Sequence, residues 1–239
     1  MNSFAARGVR SVKWLPNIMN IDPSDPACGP FFTDMARLRM TMLTHTGAES
    51  SLRSPDPNHQ AYGNPLGFAA ALKIGVRVVT AHSARDGWNK GVNGRELRNF
   101  DLFRRMMRNQ AYTGCLFGDI SGMLICDRTS LDYLAVIMTD EALRHRIVNG
   151  SDYPISAVSV INSTGELRRK GYISAPQEAA LDAIYRYNPL LFDFVVKRTI
   201  HHPKRPDLGL PATMFGSLDD LPKPANDRCR HYRVDVKEN

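Results

Sequence analysis

Short apolar segments alternate along this chain with longer segments in which apolar residues recur every three or four positions. The short segments predict strands at residues 9–15, 40–43, 76–80 and 112–117, and a short strand at the end of 143–148, a stretch that begins as a helix end. The longer segments predict helices at residues 31–39, 66–74, 96–110, 131–144, 176–187 and 190–200. A regular alternation of strand and helix is typical of parallel βαβ units, so we expect an α/β fold.

A polar side chain lies at or near the end of each predicted strand. These residues are Lys13, His45, His82, Asp119 and Asp152, and they recur at intervals of roughly 30 to 40 residues, the length of a βα unit. If the strands are parallel neighbours, as in a (β/α)8 barrel, the side chains converge on one face. Imidazole and carboxylate suit zinc, iron, manganese or nickel, and such a metal lowers the pKa of a bound water to about 7. The pattern therefore predicts a divalent metal site that activates water.

Five segments together resemble the amidohydrolase superfamily. They are VKWLPN at 12–17, LTHTG at 43–47, VTAHSA at 79–84, GDIS at 118–121 and GSDYP at 150–154. Each motif is weak alone, but their order and spacing are similar to those of the amidohydrolase-related family that includes aminocarboxymuconate-semialdehyde decarboxylase. The resemblance implies a TIM-barrel enzyme with one or two divalent metals, most simply zinc. It implies hydrolysis or non-oxidative decarboxylation of a small carboxylated or cyclic substrate.

The resemblance also implies roles for three residues. His45 matches a metal-ligating histidine on strand five, and His82 matches the histidine of strand six, which ligates the metal or polarises the substrate. Asp152 matches the aspartate of strand eight, a metal ligand and general base. The metal ligands expected are thus His45, His82 and Asp152, and the catalytic residues expected are Asp152 and His82. The competing interpretation of Asp152 is a helix N-cap for the segment after Pro154.

Four further residues have two open interpretations each. Lys13 falls on strand four, where some relatives carry a carboxylated lysine that bridges two metals, but it also suits a strand lysine that extends to solvent. Asp119 is either a functional carboxylate or a residue that fixes its loop. Glu49 and Arg85 follow the two histidines, and we expect them to support those histidines or to contact substrate.

The first strand of these barrels, with its His-x-His ligands, has no counterpart before Lys13. We therefore expect an incomplete barrel that covers strands four to eight in residues 1–200, followed by an irregular tail at 201–239. An open parallel sheet exposes two edges, and exposed edges pair with other chains. This predicts either a homo-oligomer formed through the sheet edges or a poorly active fragment. The alternative function is a catalytically incompetent, truncated family member that serves as a scaffold or is a gene fragment.

Composition narrows the class of protein. The chain has 239 residues, 43% of them hydrophobic, which is ordinary for a globular protein that can bury a sizeable core. Its net charge of +7 is spread along the chain without interleaved aromatic residues, so we expect no nucleic-acid binding. No apolar run is long enough to span a membrane. The four cysteines have no CxxC spacing, which predicts reduced thiols and a cytoplasmic location.

Overall fold

The computed structural model describes residues 1–54, 56–125, 129–158 and 161–217. Within these ranges the protein has an α/β architecture, with a five-stranded parallel sheet flanked by helices. This confirms the predicted α/β class. The closed or partial barrel stays a prediction.

The strands comprise the five of the main sheet and two short hairpins. In chain order they are β1 (Ser11–Trp14), β2 (Thr41–His45), β3 (Arg77–Ala81), β4 (Trp88–Lys90), β5 (Glu96–Arg98), β6 (Leu116–Asp119), β7 (Ile147–Val148), β8 (His201–His202) and β9 (Arg205–Gly209).

The α-helices fill most of the intervals between them. In chain order they are α1 (Asn2–Ala6), α2 (Pro16–Met19), α3 (Gly29–Arg37), α4 (Ala69–Ile74), α5 (Asn99–Met107), α6 (Ser130–Thr139), α7 (Glu141–Arg144), α8 (Thr164–Arg169), α9 (Ala175–Tyr187) and α10 (Pro189–Thr199). Several 3-10 turns lie at Pro26–Cys28, Pro57–Gly63, Pro65–Phe68, His82–Ala84, Gln110–Tyr112, Ile155–Ala157 and Ala212–Phe215.

The strands of the main sheet follow the order of the chain, β1-β2-β3-β6-β7. The register places Lys13 opposite Leu43 and His45 opposite Ala81, with β1, β2 and β3 parallel. Strand β3 also pairs in parallel with β6. The carboxyl ends of these strands therefore lie at the same end of the sheet. The sequence predicts the functional side chains at that end.

The chain divides into two compact units. The first contains Met1–Gly118 and has a core that includes Met42, Phe68, Val78 and Phe103, all buried. The second begins at Asp119, and its core includes the side chains of Leu131, Leu134, Ile137, Tyr172, Leu181, Phe192 and Val196.

Local sequence signals account for the helix boundaries in the second unit. Helix α9 begins with a capping box, in which the Ser174 side chain accepts from the Gln177 amide while the Gln177 side chain accepts from the Ser174 amide. Helix α10 begins after Asn188, whose side chain accepts from the amides of Leu190 and Leu191. Pro189 occupies the first helical position, where its missing N–H leaves no intrahelical bond unmade.

One predicted helix was too long. The prediction covered 96–110, but residues 96–98 form β5, which pairs antiparallel with β4, and the helix starts at Asn99. Glu, Leu and Arg favour helices by propensity, but the cross-strand hydrogen bonds decide the structure here. The turn contains Asn93-Gly94, with Gly94 at φ +76°, a dipeptide typical of hairpin turns.

Three other predictions need correction. The predicted helix 131–144 is interrupted at Asp140, whose side chain accepts from the Ala142 amide and so begins α7. The sequence predicts no helix between 144 and 176, but α8 lies in that interval, where the Ser163 side chain caps its first turn. The tail expected to be irregular from residue 201 begins with the β8–β9 hairpin, and residues 218–239 lie outside the described part.

The expectation of reduced thiols is correct for Cys28 and wrong for Cys115, which is disulfide-bonded. The absence of CxxC spacing therefore did not exclude a disulfide at Cys115. Cys126 and Cys229 lie outside the described residues. In the described ranges no helix combines the length and apolar character needed to cross a membrane.

Candidate functional site

Two histidines meet at the carboxyl ends of neighbouring strands in the first unit. His45 is the last residue of β2 and lies opposite Ala81, the last residue of β3, so His82 follows one position later. The centroids of the two imidazole rings are 5.3 Å apart, and the rings are inclined at 61°. The structure thus brings together two of the three residues predicted to bind metal.

The backbone that carries His82 is strained. His82, Ser83 and Ala84 have φ angles of +56°, +49° and +54°, and each such non-glycine residue costs about 1–2 kcal/mol. Just after these residues, the Asp86 carbonyl oxygen accepts a hydrogen bond at 2.9 Å from the amide of Ala48, which lies in the loop after β2. Strain of this kind clusters at functional sites, so the conformation supports a functional role for His82.

Glu49 supports His45 directly. Its carboxylate Oε2 lies 3.5 Å from His45 Nδ1, and the side chains of His45 and Glu49 are only 8% and 7% exposed. Oε1 accepts from the amides of Ser51 at 2.6 Å and Leu52 at 3.0 Å, which fixes the carboxylate. A carboxylate against one ring nitrogen is the usual arrangement around a metal-ligating histidine.

A buried amide frame holds the loop after β2. Asn17 is fully buried, and its Nδ2 donates to the Gly47 carbonyl at 3.1 Å and to Gln60 Oε1 at 3.1 Å. Gln60 Nε2 donates to the Glu49 carbonyl at 3.1 Å, and Gln60 Oε1 accepts from the Glu49 amide at 2.8 Å. The position of Glu49, and through it that of His45, therefore depends on side chains from two other segments.

His45 is neutral at physiological pH. Burial lowers its pKa to about 4, the neighbouring His82 lowers it as well, and Glu49 opposes the shift. Because a metal binds the deprotonated nitrogen of imidazole, this environment has the protonation state that ligation needs.

The ring separation of the histidine pair is compatible with two imidazoles that share one divalent metal. A zinc–imidazole bond is about 2.1 Å long, so two rings that share one ion have centroids no more than about 6.5 Å apart. The 5.3 Å separation lies within that limit. Among the residues that the structure describes, no group of three or more His, Cys, Asp or Glu side chains forms a metal-binding cluster.

The second unit contains the two predicted aspartates. Asp119, the last residue of β6, is buried, and its Oδ1 accepts from the Ser121 amide at 3.0 Å and hydroxyl at 2.6 Å. A Cβ added at Gly150 would lie 3.3 Å from Asp119 Oδ2, so the loop after β7 passes close to this carboxylate. These contacts support the interpretation that Asp119 fixes its loop.

Asp152 is exposed and has a left-handed backbone at φ +54°. Its carbonyl oxygen accepts from the Ile155 amide at 2.8 Å, which starts the 3-10 turn Ile155–Ala157. The N-cap of that turn is Pro154, without a side-chain cap, so the competing N-cap interpretation of Asp152 is wrong. Its role as ligand and base stays a prediction.

The remaining predicted residues lie in the first unit. Lys13 is exposed in β1, in agreement with the interpretation of a strand lysine that extends to solvent. Arg85 Nε donates to Asp86 Oδ2 at 2.9 Å, so this guanidinium is paired beside the strained segment.

Sequence reasoning missed a buried ion pair on α10. Lys197 and Asp193 are 1% and 4% exposed, and Lys197 Nζ lies 2.7 Å from Asp193 Oδ2. The signal was present, because the two charges are spaced i,i+4 on the same helix face as the apolar Phe192 and Val196. The amide frame of Asn17 and Gln60 was also missed, since its members are distant in sequence.

No family model, curated protein or solved structure matches the chain.

Proposed function

We propose that this protein is a metal-dependent hydrolase of the amidohydrolase type, or a decarboxylase of the same kind. The observation that carries the proposal is the pair of imidazoles at adjacent strand ends, with a buried carboxylate against Nδ1 of His45. A neutral histidine supported by a carboxylate is the usual metal ligand in enzymes that activate water.

The strand order supports the barrel part of the proposal. In doubly wound α/β folds the order of strands reverses at a switch point, whereas in a (β/α)8 barrel each strand lies beside its chain neighbour. The five strands of the described sheet follow chain order without a reversal. We therefore interpret the sheet as part of a barrel, in which functional residues follow the strands at their carboxyl ends.

A divalent metal, most simply zinc, would supply an activated water at neutral pH. His45 and His82 would hold it through neutral ring nitrogens, and Glu49 would keep the His45 ring in place. Asp152 stays the predicted additional ligand and general base, and the substrate class stays that of small carboxylated or cyclic molecules. Each of these assignments agrees with the donor chemistry that zinc prefers.

Metal content in the purified protein tests the proposal. We expect stoichiometric zinc after growth with added zinc, and loss of it in His45→Asn, His82→Asn and Asp152→Asn, measured by plasma mass spectrometry. His145→Asn is the matched control, because His145 is 53% exposed and pairs with a surface glutamate, Glu141.

Glu49→Gln is expected to retain the fold and to weaken zinc binding by about 10- to 100-fold, since it changes a supporting carboxylate. Absence of stoichiometric metal from the wild-type protein would refute the proposal. An equal loss in His145→Asn would refute it as well, because the loss would then not depend on the histidine pair. A metal-free protein would favour the catalytically incompetent scaffold.

A further inference from the structure

Lys197 makes two short contacts in the interior of the second unit. Its Nζ donates to Asp193 Oδ2 at 2.7 Å and to the Gly150 carbonyl oxygen at 2.7 Å. The first contact lies within α10, and the second joins α10 to a loop 47 residues earlier in the chain. Since Lys197 is only 1% exposed, both contacts are protected from water.

The loop that Lys197 reaches is the one that carries Asp152. It starts after β7, and the Asn149 amide donates to the Met214 carbonyl at 2.7 Å at its beginning. At its other end the Ile155 amide donates to the Asp152 carbonyl. Between these two bonds, the bond from Lys197 to Gly150 ties the middle of the loop to a helix.

The charge of Lys197 is balanced by carboxylates. Burial lowers the pKa of Lys197, and Asp193 opposes that shift most strongly, followed by Asp119 and Asp152. A buried ammonium is stable only with such partners, because transferring an unpaired charge from water into the protein interior is costly. Asp193 lies one helical turn earlier on the same face, so it both compensates the ammonium and directs it toward Gly150.

We propose that Lys197, directed by Asp193, is a positioning residue that holds the Gly150–Asp152 segment so that Asp152 keeps its left-handed backbone. The bond to Gly150 fixes the backbone two residues before Asp152, whose φ of +54° needs support from its surroundings. The inference rests on the proposed function only for the catalytic role of Asp152. The placement of the loop is a separate, measurable property.

Hydrogen–deuterium exchange of the full-length, metal-free protein tests this placement. Lys197→Met keeps the length and apolar stem of the side chain but removes the ammonium. We expect exchange in residues 149–155 to become at least about ten-fold faster, because loss of one tether opens the loop locally, whereas amides of α9 should accelerate only as far as the loss of global stability requires.

Tyr172→Phe is the matched control in the same unit, because it removes a buried hydrogen bond from the Tyr172 hydroxyl to the Leu131 carbonyl. It should leave exchange in 149–155 unchanged. Equal acceleration in both variants would show a general loss of stability and overturn the proposal, as would unchanged exchange in Lys197→Met.

Asp193→Asn is the second variant and covers the case in which Lys197→Met does not fold. It keeps the shape of the side chain and removes its charge, and we expect a smaller but selective acceleration of about three-fold or more at 149–155. No acceleration there would overturn the proposal. Because the measurement uses no metal, a wild-type protein that binds no zinc would refute the proposed function and leave this result to be judged by itself.

Discussion

The buried pair of Asp193 and Lys197 permits a prediction of the free energy of unfolding. Asp193→Leu removes the carboxylate that lies 2.7 Å from an ammonium with 1% exposure. Breaking one side of a buried pair leaves an uncompensated charge, and the expected loss of stability is about 3–5 kcal/mol. Lys197→Met should cost a similar amount, because it leaves the Asp193 carboxylate buried.

Replacing both residues together, as Asp193→Leu with Lys197→Met, removes both charges. The remaining loss is the hydrogen bond to the Gly150 carbonyl, about 1–3 kcal/mol. The double variant should therefore be more stable than either single variant. Urea unfolding followed by circular dichroism gives the three values, and losses that simply add would refute the account of a coupled pair.

The buried pair should also make the free energy of unfolding depend on pH. In the folded protein burial lowers the pKa of Lys197 below its ordinary value, and Asp193 opposes this shift. Between the lowered and the ordinary pKa the unfolded chain binds more protons, so stability rises as the pH increases through that window. In Asp193→Leu, where the opposing carboxylate is gone, the rise should begin at a lower pH and extend over a wider window, and this contribution should be absent from the double variant.

Three further predictions concern other parts of the chain. Arg39 is exposed with φ +53° after α3, so Arg39→Gly should raise the free energy of unfolding by about 1 kcal/mol while Arg39→Ala should not; equal melting temperatures would contradict this. A Cβ at Gly63 would lie 2.0 Å from a backbone oxygen, so Gly63→Ala should not give folded protein by circular dichroism, whereas Gly29→Ala, with open space around it, should fold normally. Alkylation of the unfolded, unreduced protein should modify Cys28 and spare Cys115, whereas reduction followed by alkylation should modify both, as measured by mass spectrometry. Modification of Cys115 before reduction would contradict the disulfide.

The sheet was largely predictable from the sequence, because its strands are short apolar runs with a polar residue at the end. Register follows from that pattern, so the meeting of His45 and His82 could be expected from spacing alone. The β4–β5 hairpin could not, since residues 96–98 favour a helix and become a strand only through pairing with 88–90. Helix or strand propensity is a property of one segment, whereas strand pairing depends on the sequences of two segments.

The supports of the candidate site were harder to predict than its central residues. Glu49 lies four positions after His45, so sequence reasoning could suggest it. Lys197 reaches a carbonyl 47 residues away, and Asn17 meets Gln60 across 43 residues. Contacts over such separations are decided by the tertiary fold, and a single sequence contains no period or motif that indicates them.

The chain-ordered sheet has a consequence for how the protein is made. Each strand after β1 finds its partner already synthesised, since β2 adds to β1, β3 to β2 and β6 to β3. A ribosome produces about 5–20 residues per second, so a new βα unit leaves it every few seconds, far more slowly than strands pair. The sheet can therefore grow from its first edge during translation, with each new strand extending a template that has already formed.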